Sequence, residues 1–323
     1  MNKRILYLVL AVALILTSCY DDYIHDYNYT SVYFPYQTDV RTFVVGEGMT
    51  INVGVVLGGT IDNDKDRVIN YLFDNSLITP AVLSGMKNNS LPYIKQATAS
   101  VSTLLPLPSN YFTISDNSKM VIKAGMHAGS VTIKVDSLQF LSDPATLNAT
   151  YALPFLITAA DADSIITAKK YAIIGVKYEN MLFGNYWHGG VTIVKDAAGN
   201  NIDTIIYRTT IPSPESKIWS LTTTSPNTLI TNGYSDKTNS KMVLALDGNN
   251  ITITPNAGSS VAISGEGQST FNRSKLLQDR KLYLNYQYSD GAGNTYHAKD
   301  TLIFRNRIRD GVNEWQDEHP GNY

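Results

Sequence analysis

The fold is decided by the stretch from Lys281 to Arg305, which reads KLYLNYQY, then SDGAGN, then TYHAKDTLIFR. Leu282, Leu284, Tyr286 and Tyr288 fall on one face of an extended chain, and Tyr283, Asn285 and Gln287 on the other. That period of two belongs to a strand with one buried side. Ser289-Asp290-Gly291-Ala292-Gly293-Asn294 is built from turn formers, so Lys281–Tyr288 and Thr295–Arg305 form a hairpin. Upstream, Asn185–Lys195 leads to a turn at Asp196-Ala197-Ala198-Gly199-Asn200 and the strand Ile202–Thr209. Lys217–Thr223, Thr228–Thr231, Lys241–Ala245, Asn250–Thr254 and Val261–Gly265 continue the pattern. About eight hairpin-linked strands with no crossover helix make residues 181–310 a meander, which closes into a small barrel or curved sheet to remove its edges. Residues 311–323 read as a polar tail, ordered only in part.

Residues 31–180 alternate in the same way. Ser31–Pro35 opens the region, and Thr42–Val45, the turn Gly46-Glu47-Gly48 and Thr50–Leu57 read as a hairpin-like pair. Val68–Phe73, Tyr111–Ser115, Met120–Ile122, Ser130–Asp136, Ala152–Ala160 and Tyr171–Val176 supply further strands. Leu77–Lys87 reads as one or two helical turns inside a long connection reaching Pro106. Short strands separated by turn signals imply an antiparallel, immunoglobulin-like sandwich. The whole chain is therefore expected to be all-β.

The N-terminus has a different grammar. Lys3 and Arg4 precede the uncharged, almost wholly apolar run Ile5–Leu16. That run is shorter than the ~20 residues needed to span a bilayer, but it suits a signal peptide. It ends in Leu16-Thr17-Ser18-Cys19, the pattern of a lipobox. Residues 1–18 are expected to be a cleaved lipoprotein signal, with Cys19 the lipidated N-terminus and the link to the membrane. Two or three acyl chains anchor far more firmly than one. Residues 19–30, with Asp21, Asp22 and Asp26, read as an acidic tether.

Removing Lys3 and Arg4 from 26 cationic residues leaves 24 against 28 acidic ones, a net charge of −4. With no basic patch, nucleic acid is not an expected partner. Cys19 is the only cysteine, so once it is lipidated there is no disulfide, thiolate metal site or cysteine nucleophile. Charged residues are only 17% of the chain and 21 residues are tyrosine, a balance that suits half-buried pleated surfaces.

Three stretches resemble a known domain: Leu107–Ile114, Met120–Gly125 and Ser130–Asp136. They are similar to an Ig-like domain of unknown function at the N-terminus of Bacteroidota outer-membrane lipoproteins. Tyr151–Phe155 and its continuation to Val176 look like that domain's closing strands, and Phe183-Gly184-Asn185-Tyr186-Trp187 looks like the start of a lipocalin-like partner domain. The resemblance implies an accessory lipoprotein of a polysaccharide utilisation system, facing the cell exterior beside an outer-membrane glycan transporter and binding glycans. The acidic pair behind Cys19 resembles the export signal of such lipoproteins. No catalytic residue carries over.

The residues themselves agree in lacking catalytic motifs: there is no Gly-x-Ser-x-Gly elbow, His-Glu-x-x-His, phosphate loop or dinucleotide fingerprint. A non-catalytic protein without a cofactor is expected. His25, His127, His188, His297 and His319 are isolated in sequence and read as surface or loop histidines. Asp62-Asn63-Asp64-Lys65-Asp66 opens like a calcium loop, but Arg67 and Phe73 stand where an EF-hand needs Gly and Glu. It reads as a solvated acidic turn, with a non-EF calcium site as the alternative. Aromatic rings supply the only binding signal, since Trp and Tyr stack on the C–H faces of sugars and anchor binding surfaces. The glycan-binding candidates are Tyr234, in the turn-like Asn232–Asp236, then Trp187, Tyr186 and Trp315; Trp219 reads as core. Two further readings stand beside glycan binding: an adhesive or structural protein that pairs through a sheet edge, and a hydrolase with paired carboxylates in a cleft.

Overall fold

A computed structural model describes residues 29–207, 217–238, 240–289 and 291–317. It is all-β with short helical insertions. In the first region two sheets face each other. One runs Ser164–Ile165, β1 (Ser31–Tyr33), β3 (Thr50–Gly58), β7 (Ala128–Val135), β5 (Phe112–Ile114). The other runs β2 (Thr38–Val45), β9 (Tyr171–Asn180), β8 (Tyr151–Ala160), β4 (Arg67–Phe73), β6 (Lys119–Ile122). Strict alternation along β7 buries Val131, Ile133 and Val135. These meet Phe43, Ile69, Phe140, Phe155 and Val176 in the core between the sheets.

Gly46–Met49 corrects one expectation. β2 and β3 lie in opposite sheets, so this turn is a corner between layers, not a hairpin. Gly46 and Gly48 have φ of 88° and 85° and Met49 has 54°, and Met49 packs into the core. Successive left-handed residues carry the chain across the sandwich, a conformation glycine reaches without steric cost.

The segment after β4 holds two helices, α1 (Pro80–Lys87), within the expected helical stretch, and α2 (Pro92–Thr98), beyond it. Thr79 caps α1 by accepting from the Val82 N–H, and a proline opens each helix. Leu83, Met86, Ile94 and Ala97 cover Val40, Ala149, Ala152 and Ile173 on the outer face of the second sheet. That explains why β8 and β9 are apolar on both faces and do not alternate.

The second region is a closed meander. β10 (Gly184–Lys195), β12 (Lys217–Ser225), β13 (Thr228–Thr231), β14 (Met242–Asp247) and β15 (Asn250–Pro255) pair in turn. β17 (Ser269–Phe271), β18 (Lys281–Ser289) and β19 (Thr295–Arg309) complete the series. β19 then pairs with β10 from Asn185↔Asn306 to Lys195↔Thr295, which shuts the ring. β11 (Asn201–Tyr207) borders the far half of β10, and β16 (Ile263–Gly265) borders β18. β20 (Val312–Glu314) folds back on Arg307–Arg309, so the start of the polar tail is an ordered strand.

The two regions are joined by buried charges. Arg307 grips Glu47 with both terminal guanidinium nitrogens, each 2.8 Å from a carboxylate oxygen, and Arg280 adds a third contact at 2.8 Å. The Arg280 and Arg307 side chains are each 2% exposed, so Glu47 is what neutralises them across the junction. Arg307 also bonds Glu314. Thr42 donates to Asp310 at 2.7 Å, and the Asn180 amide to the Pro226 carbonyl at 2.6 Å. Burial pushes the Glu47 carboxyl up, but hydrogen bonds and charge from Arg307 and Arg280 outweigh it and hold the carboxyl below its ordinary range.

Glu47→Ala takes the carboxylate partner from buried Arg280 and one of two from buried Arg307, and is expected to lower stability by about 3 kcal/mol in urea unfolding. A carboxyl held low in the fold contributes stability above the ordinary carboxylate range, and that is lost as pH falls through the folded value. The stability difference between wild type and Glu47→Gln therefore shrinks on acidification. Taking that difference cancels Asp310, whose burial raises its own pKa.

Candidate functional site

Alternation along β10 sorts its side chains to the two sides of the barrel wall. Tyr186, His188, Thr192 and Val194 point into the lumen, and Trp187 points out. Gly190 has to be glycine, because a Cβ there would sit 2.2 Å from the Lys299 carbonyl oxygen.

In the lumen, Asp300 is 2% exposed and accepts from the Tyr207 and Tyr286 hydroxyls, each at 2.6 Å. His188 Nε2 lies 3.2 Å from the same carboxylate. The imidazole is sandwiched between Trp219, with centroids 3.8 Å apart at 13°, and Tyr207 at 4.8 Å and 28°. A small hairpin, Gly233–Tyr234 against Lys237–Thr238, folds onto this cluster. The Ser235 hydroxyl lies 2.7 Å from that of Thr192, and the Ser235 N–H bonds the Tyr286 oxygen. Burial, reinforced by the Asp300 charge, pushes the Tyr207 and Tyr286 hydroxyls well up, so both stay protonated donors. The rest of the lumen is filled by an apolar cluster that includes Leu229, Leu244, Leu284, Leu302 and Phe304.

The outer wall offers a surface instead. Trp187 is partly exposed between Ile218 on β12 and Ile303 on β19 in register, and Ile303 faces Lys281 on β18. The Arg305 guanidinium lies over the Trp187 ring, 5.1 Å from its centroid. Beside the ring runs a row of amides. Ser220 donates to Asn185 at 2.8 Å, Asn185 to Asn306 at 3.3 Å, and Asn306 to Asn313 at 2.6 Å. Tyr283, 44% exposed, stands on the outward face of β18.

The candidates therefore divide. Trp187 is on the wall, and Trp315 is 58% exposed just past β20. Tyr186 is completely buried against Phe304, which corrects its reading as a surface ring. Tyr234, expected at an exposed turn, is 4% exposed and packs on Tyr288, because the turn folds inward. Trp219 is core. His188 is not a loop histidine but the centre of the lumen stack. His297 bonds Glu266 at 2.8 Å, and His127 lies in the loop before β7. Cys19, His25 and His319 lie outside the described residues. In the acidic turn, Asn63 is buried and bonded to Arg67, Lys123 and Met126, and Asp66 is held by Lys123. Among the described residues no cluster of three His, Cys, Asp or Glu side chains is arranged to hold a metal, and no helix is long and apolar enough to cross a membrane. Asp300 carried no signal in sequence beyond its place on the inward side of β19, where an acid breaks an apolar alternation.

Comparison with known proteins agrees with this architecture. Residues 27–164 match a family model described as a "-like, N-terminal domain". A crystal structure of a Bacteroides ovatus protein of unknown function superposes with a TM-score of 0.61 at 20% identity, covering 90% of this chain and 98% of that one. The chain shares its fold with that protein. A second Bacteroides ovatus protein of unknown function gives 0.42 at 12% identity over 90% of this chain and 100% of that one. A multidomain protein including DUF1735 from the same organism gives 0.42 at 12% over 89% and 100%. No curated protein matches.

Removing the Asp300 carboxylate takes the acceptor from the buried Tyr286 hydroxyl and leaves Tyr207 only its contacts with Thr192 and Ser235. Asp300→Ala is expected to cost about 3 kcal/mol, seen as a lower urea midpoint, and to raise the exposure of Trp219 to acrylamide quenching. Unchanged quenching would show that the network does not seal the lumen.

Proposed function

We propose that this protein is a non-catalytic lipoprotein, anchored in the outer membrane through Cys19 and facing outward, that binds glycans on the outer wall of its barrel. The observation that carries this reading is the pairing of Trp187 with a continuous amide row. A pyranose ring stacks its C–H face on an indole, and its hydroxyls need donors and acceptors at the ring's rim. Asn185, Asn306, Asn313 and Ser220 supply both beside Trp187, on paired strands whose backbones are fixed by the closed ring. Arg305, which also donates to Asn306 at 3.0 Å, adds a cation that either caps the sugar or yields its place over the ring. The lumen offers no comparable access, since His188, Asp300 and Tyr286 are all buried. Tethering to a membrane raises the local concentration of such a site, so weak single contacts suffice for capture. Delivery to a glycan transporter in the same membrane follows from that reading.

A second reading has one observation in its favour. β3 pairs with β1 only at Val56–Gly58, so on that side residues 50–55 have no neighbouring strand among the described residues. An open edge of this kind is where a partner strand adds in adhesive assemblies.

A glycan array probed with residues 20–323 tests the first reading. Binding to at least one polysaccharide is expected, with a loss of about tenfold or more in Trp187→Ala and little change in Trp315→Ala. Silence across the array would refute it. The anchor has its own test: Cys19→Ser is expected to abolish incorporation of radiolabelled palmitate and release the chain from outer-membrane fractions.

A further inference from the structure

The junction between sandwich and barrel holds a cleft of about 490 Å³, with a smaller one of about 170 Å³ alongside. Gly46, Met181 and Arg273 line both, so Arg273 stands where the two meet. The walls are built. Arg280, 1% exposed, is fixed by the carbonyls of Met181, Ser274 and Lys275 as well as by Glu47. Asp317 is occupied in accepting from the Leu277 N–H at 2.7 Å. Arg273 and Lys275 are exposed, and neither is in an ion pair among the described residues. Arg273 also has φ of 48°, a left-handed backbone that costs a non-glycine residue about 1 kcal/mol or more and that clusters at ligand sites. That backbone sets its guanidinium 6.0 Å from the Phe271 ring centroid, at the cleft rim.

The larger cleft is lined by Arg273, Lys275 and Arg280 against Glu47 and Asp317, an excess of one positive charge, and the smaller one adds Asp247. Glu47 and Glu314 are consumed by Arg280, Arg307 and Arg309. Arg273 and Lys275 are left to meet an anion. A guanidinium fork and an ammonium group two residues apart suit an oxyanion such as a carboxylate or sulfate, and a volume near 490 Å³ holds a ring or two beside it.

We infer that the interdomain cleft binds the carboxylate or sulfate of an acidic saccharide through Arg273 and Lys275. The saccharide part rests on the glycan reading above, while the oxyanion part does not.

Calorimetric titration of residues 20–323 with trigalacturonate, a sulfated disaccharide and a neutral galactotriose tests this. At least one anion is expected to bind tenfold or more tighter than the neutral sugar, with affinity falling as salt rises. Which anion binds identifies the source of the oxyanion. Arg273→Glu and Lys275→Glu are each expected to weaken that binding at least tenfold, and Trp187→Ala to leave it within twofold. If Arg273→Glu fails to fold, Lys275→Glu, at an exposed side chain, decides alone. Equal affinity for charged and neutral sugars, unchanged affinity in the folded variants, or loss in Trp187→Ala would each overturn the cleft. Anion binding that persists while no neutral glycan binds anywhere would sink the wall and leave the cleft standing.

Discussion

Everything in the second half of the molecule depends on one pairing, that of the first barrel strand with the last. β10 and β19 run antiparallel over eleven paired positions, from Asn185↔Asn306 to Lys195↔Thr295. Without it the meander would be a curved sheet with two open edges and a solvent-facing row of backbone groups. With it, every side chain is assigned to a lumen or an outer wall. The pairing requires close approach at Gly190, where a side chain would collide with the Lys299 carbonyl.

Closure explains why the buried polar groups and the binding candidates separate. An eight-station ring of this kind is just wide enough to be filled by its own side chains. Here the filling is polar at one level, with Asp300, Tyr207, Tyr286, Thr192 and Ser235 bonded to one another and His188 stacked between Trp219 and Tyr207 beside them. The Ser235 N–H and hydroxyl bond Tyr286 and Thr192, so the inward turn at Gly233–Ser235 is as much part of the barrel as its strands. The wall, relieved of packing duties, carries Trp187, Arg305 and the amides on a backbone that cannot splay. Glu47 ties the sandwich to the barrel, and the cleft of Arg273 and Lys275 lies beside that junction.

The strands were legible because their signal is local. Leu282, Leu284, Tyr286 and Tyr288 alternate in sequence and are all buried in the structure. The two-layer corner at Gly46–Met49 was misread as a hairpin because a turn signal says that the chain reverses, not which sheet receives it. Tyr234 was misplaced for a related reason: Asn232–Asp236 is a turn in either case, but its direction depends on Tyr286 and Thr192, far away in the chain. The helix at Pro92–Thr98 was missed because its short apolar face is specified by the sheet it covers. Of the aromatic candidates, Trp187 alone lies between apolar wall residues and amides, and β-alternation next to the buried Tyr186 was the signal that pointed it outward.

Whether a ligand meets the wall or the lumen can be read from the three indole N–H resonances of Trp187, Trp219 and Trp315 in a two-dimensional nitrogen–proton spectrum. On addition of a bound glycan, the Trp187 resonance is expected to shift, while Trp219 keeps its position and its protection from deuterium exchange. A shift confined to Trp219, with Trp187 unmoved, would place the ligand inside the barrel and contradict a sealed lumen.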